Sequence, residues 1–118
     1  MRENLRACLA FIAYTALGGH ANYIMDMASK KKFDIKGTVG KNNISVYYEE
    51  LRCSVTGTRN RLYDHCGAHE VEFYQYDQDF FGLDKSNRGF FEGHVNVESG
   101  IIDFYDSFAG GSFKYKVL

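Results

Sequence analysis

The densest run of reactive side chains is YDHCGAHEVE, Tyr63 to Glu72, which holds Asp64, His65, Cys66, His69, Glu70 and Glu72. Cys66 and His69 stand three positions apart, and His65 and His69 four. Sulfur and imidazole at that spacing suit zinc. A structural zinc site needs four ligands, however, and Cys53, His20 and His94 stand alone elsewhere in the chain. Cys66 with a histidine also has the makings of a nucleophile and its base, provided that a third group orients the ring. Neither set is complete in the sequence. The segment therefore reads first as a polar hairpin tip, and no catalytic residue, metal ligand or cofactor is assigned. A metal-dependent or Cys/His enzyme centred on Cys66 and His69 remains one alternative.

A second chemistry lies beside it. From Leu62 to Asp84 there is no Lys or Arg, while acidic and aromatic residues interleave in EVEFYQYDQDFF. On a strand, Glu70, Glu72, Tyr74 and Tyr76 share one face and Val71 and Phe73 the other. A wet face of tyrosines and carboxylates suits a basic protein partner, because tyrosine offers large contact area and the carboxylates steer association. Glu70, Glu72, Tyr74, Tyr76, Asp77 and Asp79 are the expected partner-binding residues.

Other clusters carry less. Gly18-Gly19, Gly110-Gly111 and the stretch Gly37 to Gly40 match no phosphate-binding fingerprint. Lys30-Lys31-Lys32 with Arg59 and Arg61 is too sparse for a polyanion site. No nucleic acid is expected as a partner, and no membrane, since the apolar run near the N-terminus is too short to span one.

The elements that position these groups follow from periodicity. A frame recurs in which an apolar residue and an aspartate are followed, after six residues, by another apolar residue. It appears at Met25-Asp26, Tyr63-Asp64, Leu83-Asp84 and Tyr105-Asp106, and one residue shorter at Tyr48-Glu49. Between frames, apolar residues alternate with polar ones, as in Phe33/Ile35, Ile44/Val46/Tyr48, Val71/Phe73, Phe91/Val95 and Phe113/Tyr115/Val117. Period two marks strands with one dry face. Each frame then ends one strand and opens the next, with the acidic residue closing an Asx turn and glycine supplying positive φ. The frame carboxylates Asp26, Glu49, Asp64, Asp84 and Asp106 are expected to be turn caps, since calcium ligands concentrate within one loop. A hairpin unit of about twenty residues used five times makes about ten short strands, closed as a small barrel or left as a curved sheet.

Leu5 to Leu17 is apolar on nearly every side, with alanines at Ala10, Ala13 and Ala16. It predicts a buried helix with Asn4 as N-cap and Gly18-Gly19 as its stop. The competing reading is a secretory leader over residues 1–21, weakened by Glu3, Tyr14 and Thr15. Cysteine usage is tied to that choice. Three cysteines suit reduced thiols in a cytoplasm, whereas loss of Cys8 with a leader leaves Cys53 and Cys66 as a pair in a secreted or periplasmic protein.

The chain has 118 residues, a net charge of −1, 45% hydrophobic residues and no proline. The expectation is a mainly β (α+β) single domain over residues 1–118: helix 5–17, then an antiparallel hairpin meander over 23–118. Residues 1–61 carry a charge of +5 and residues 62–118 carry −6, a division that can drive self-association as well as partner binding. The leading functional reading is a non-catalytic protein-binding module, inhibitor-like or immunity-like. A small β-protein holding an apolar ligand in its interior is the other alternative.

Overall fold

A computed structural model describes residues 1–118. One helix, α1 (Glu3–Ala16), precedes ten strands: β1 (Tyr23–Asp26), β2 (Lys32–Val39), β3 (Ile44–Tyr48), β4 (Cys53–Thr58), β5 (Arg61–Asp64), β6 (His69–Tyr76), β7 (Asp79–Asp84), β8 (Gly89–Asn96), β9 (Ile101–Asp106) and β10 (Gly111–Val117). Every strand pairs antiparallel with its sequence neighbours, and β10 returns to β1. The meander is a closed barrel. Closure leaves no free edge to aggregate or to accept a strand from outside.

The period-two pattern is realised throughout. Phe33, Ile35, Val46, Leu62, Val71, Phe91, Ile102 and Tyr115 are all fully buried. A barrel of eight strands is just wide enough to be filled by side chains alone, and ten strands leave more room. That room is taken by α1. Leu9, Ala10, Ile12 and Ala13 have no exposed surface, and α1 packs against β1, β2, β3 and β9. Arg6 reaches Tyr115 on β10, and the Ala13 carbonyl accepts a hydrogen bond from Gln75 Nε2 on β6 at 2.9 Å. Strands therefore contact the helix from around its circumference. Of the alanine stripe expected at Ala10, Ala13 and Ala16, the first two are fully buried and Ala16 is half-buried; Ala7 extends the buried stripe towards the N-terminus.

The helix begins earlier than expected. Arg2, not Asn4, is its N-cap, with no side-chain cap bond. Asn4 is itself buried inside the first turn. The stop is as expected: Gly18, at φ 90°, lets its amide reach the Thr15 carbonyl at 2.9 Å.

On the β6–β9 side the barrel wall closes tightly around two glycines. Gly82 sits between Phe73 and Phe91 across β6–β7–β8, and Gly93 between Phe80 and Phe104 across β7–β8–β9. A Cβ at Gly93 would collide with the Phe80 ring and the Asp103 carbonyl, and one at Gly82 with the Glu72 carbonyl. The missing side chains make room for a cluster in which Phe80 and Phe104 lie 5.6 Å apart and Phe91 and Phe104 5.5 Å apart. Such cross-strand pairing of aromatics with glycine fills the inner face where the sheet coils.

Candidate functional site

All five frame turns lie at one end of the barrel, because alternate connections of an antiparallel meander emerge on the same side. The strands end and restart where the frames do: β1 ends at Asp26, β5 at Asp64, β7 at Asp84 and β9 at Asp106. Each aspartate caps its own turn. The amides of Ala28, Cys66, Ser86 and Phe108 donate to Oδ1 of Asp26, Asp64, Asp84 and Asp106, at 2.9, 3.0, 3.0 and 3.1 Å. Glu49 does not cap. Its longer side chain lies outward beside Lys36, at 3.6 Å. Positive φ in these turns falls mainly on Lys30, Arg52, Ala68 and Arg88, with Gly110 the glycine that takes this role. The expectation that glycine supplies it throughout is therefore corrected.

The four aspartates are also buried, which turn capping alone does not require. Their strand parity points them into the barrel, where the N-terminal end of α1 lies. Arg6, itself nearly buried, donates from Nη1 to Asp106 Oδ2 at 3.1 Å and to the Met1 carbonyl at 2.6 Å. Its guanidinium lies 3.9 Å from the centroid of the Phe113 ring. Arg2 approaches Asp64 at 3.6 Å, and His69 Nε2 lies 2.9 Å from Asp84 Oδ1. Asp106 and Asp64 therefore serve as counter-charge for Arg6 and Arg2 at the start of the helix, whose amide dipoles also favour negative charge there. Sequence spacing revealed the caps. It contained no sign that the second oxygen of Asp106 meets Arg6.

The reactive stretch around Cys66 resolves differently. Cys66 is bonded to Cys53, with Cα atoms 5.5 Å apart, so β4 is tied to the β5–β6 turn. Its sulfur is thereby committed and is no free nucleophile or zinc ligand. His65 is turned away to Thr56 Oγ1, at 2.9 Å, and His94, isolated in sequence, meets Asp79 at 2.8 Å. No group of three or more His, Cys, Asp or Glu side chains is arranged to hold a metal ion. Cys8 is free and buried in the core. Burial, assisted by the nearby Asp64 charge, pushes its thiol up to about 12.

The acidic–aromatic segment forms β6, the β6–β7 turn and β7. Glu70, Glu72, Tyr74 and Tyr76 do share the outer face, with Val71 and Phe73 buried behind them. Tyr76 is 79% exposed. Tyr74 stacks on Phe81 at 5.4 Å and donates its hydroxyl to Glu72 at 2.7 Å, a bond that raises its pKa. Asp77 is a turn residue at φ 51°, beside the face rather than on it. The carboxylates are less free than composition suggested. Lys85, just beyond the Lys-free stretch, lies 3.4 Å from Glu70 and 3.8 Å from Glu72. The structure extends this face further than the sequence reading did. Phe81, Leu83 and Phe90 are half-exposed beside it, and Phe90 meets Tyr105 at 5.9 Å. A sharper signal was present in the outward alternation of Phe81/Leu83 and Phe90/Glu92.

Fold and surface together define a small closed β-barrel, of ten antiparallel strands around a central helix, with an aromatic and acidic outer wall. No protein family, no curated protein and no solved structure matches the chain.

Proposed function

We propose that this protein is a non-catalytic protein-binding module, inhibitor-like or immunity-like, whose outer wall over β6–β9 docks a basic protein. The observation that carries the reading is the exposure of Tyr76, Phe81 and Phe90 (79%, 51% and 48%) on one wall, interleaved with Glu72, Asp79 and Glu92. Aromatic anchors among carboxylates supply contact area and steering together. A closed barrel offers no edge for strand addition, so recognition must use side chains on the wall. The interior that an apolar ligand would need is filled by α1, and Cys66 is engaged with Cys53; both facts favour the binding module over the two alternatives. The disulfide by itself suits an oxidising compartment.

The test is affinity capture with wild type and with Tyr76→Ala, followed by surface plasmon resonance on the captured protein at two salt concentrations. Tyr76→Ala is expected to weaken binding by more than ~1 kcal/mol with the fold intact. Salt is expected to slow wild-type association. Full binding by Tyr76→Ala together with salt-indifferent kinetics would refute the reading. Light scattering at low and high salt separates a foreign partner from a second copy of the chain.

A further inference from the structure

Residues of β7–β10 and the β1–β2 turn line an open groove of about 1010 Å³. Phe81, Glu92 and Tyr105 lie across it in one cross-strand row, Phe81 opposite Glu92 and Glu92 opposite Tyr105. Phe81 and Tyr105 are thus the cross-strand neighbours of Glu92 on its two sides. Phe81 stacks on Tyr74 of β6, while Tyr105 meets Phe90, two residues before Glu92 on β8. Three outward carboxylates line the groove. Asp79 is engaged by His94 at 2.8 Å and Asp103 by Lys114 at 2.8 Å. Glu92 has no ionic partner and is exposed.

Strands are spaced ~4.8 Å apart, so residues two strands apart stand ~10 Å apart at the backbone. A flat group in van der Waals contact on both faces needs ~7–8 Å between its walls. At the backbone the row therefore has room for one planar cation between its two aromatic residues, above a carboxylate. Guanidinium meets all three demands: it is flat, it stacks on aromatic faces, and its fork pairs two N–H groups with a carboxylate. Phosphate-bearing ligands are disfavoured by the acidic lining.

We propose that Glu92, flanked by Phe81 and Tyr105, is the seat for an arginine side chain of the partner protein. The inference rests on the protein-binding reading above and assigns that surface its specificity. Tyr76 anchors the rim, and the groove reads one arginine. Lysine fits less well, because its ammonium is compact and cannot stack on both rings.

The probe is N-acetyl-arginine methylamide, titrated into the full-length 15N-labelled chain. The neutral isostere N-acetyl-citrulline methylamide and the lysine analogue are run in parallel. Saturable shifts are expected at the amides of Phe81, Glu92, Gly93 and Tyr105 with the arginine probe, weaker ones with lysine, and none with citrulline. Glu92→Gln is expected to weaken arginine binding about tenfold and Phe81→Ala about fivefold. Both positions face outward, and an otherwise unchanged spectrum shows that the fold survives. Equal shifts with citrulline, no saturable shift, or undiminished binding by Glu92→Gln would overturn the seat. Capture of a partner dependent on Tyr76 but indifferent to Glu92→Gln overturns it too, while the module reading stands. Loss of binding in both Tyr76→Ala and Glu92→Gln supports both.

Discussion

The Oδ1 atom of Asp106 holds the β9–β10 turn, and Oδ2 of the same residue holds Arg6 inside the barrel. Asn can do the first and cannot supply the charge for the second. Asp106→Asn is therefore expected to cost about 2–4 kcal/mol, because it leaves a buried guanidinium without its counter-ion. Asp26→Asn is the control. Asp26 caps through Oδ1, and no ion pair engages its side chain, so that substitution should cost less than about 1 kcal/mol. Urea titrations of both variants measure the difference. Cys8 gives a second expectation at this scale. Its folded pKa stands above the ordinary 9.0, so the native state holds the thiol proton more tightly than the unfolded chain. Its contribution to stability is complete below pH ~9 and is lost as pH rises towards 12. Tyr115, raised to about 12 chiefly by burial, acts in the same direction. Alkaline melts should show this loss, and Cys8→Ala should lessen it. Native protein should resist iodoacetamide at Cys8 and react once unfolded.

At the scale of elements, α1 contributes eight of the twenty-five residues in the core cluster, from Leu5 to Ala13. Strands alone would therefore enclose a void. Leu9→Ala and Ile12→Ala, both at positions with no exposed surface, are expected to cost about 2–5 kcal/mol each through lost burial and a cavity. Unchanged melting temperatures would mean that the helix is not core. The Cys53–Cys66 bond, across a separation of 13 residues, ties β4 to the β5–β6 turn. Opening a loop of this size should cost ~3 kcal/mol. The paired change Cys53→Ser with Cys66→Ser, followed by calorimetry, reads that value without disturbing Cys8.

Across the whole molecule, the meander runs once round the barrel, so the first five strands and the last five form opposite walls. The charge division of +5 and −6 thereby becomes a division between two sides. Its acidic half is smaller at the surface than in composition. Asp64, Asp84 and Asp106 are three of the ten carboxylates of residues 62–118, and all three are buried at the barrel end. The acidic excess facing water on that side falls from six to three. Association with a basic partner should therefore respond to salt, but less steeply than the sequence total implies. The double change Glu70→Gln, Glu72→Gln should slow association only modestly, since Lys85 already sits against both carboxylates. A large drop in on-rate would mean that Lys85 moves aside in the complex.

Strand number, hairpin order, the inward parity of Phe33, Val71, Phe73 and Tyr115, and the turn role of the frame aspartates were all legible in the sequence. These are local quantities. Period-two burial and an Asx turn are set within a few residues of chain. The buried helix was legible for the same reason, as an apolar surface on all sides of a 3.6-residue period. Only the tertiary structure decided that the sheet closes, since closure depends on accumulated twist over ten strands and on where Gly82 and Gly93 let rings fill the inner face. Only it decided that Asp106 meets Arg6 across a hundred residues, and that Phe81, Glu92 and Tyr105 form a row. Each of these is a relation between elements far apart in the chain. No local pattern encodes it, because pairing is set by the whole barrel.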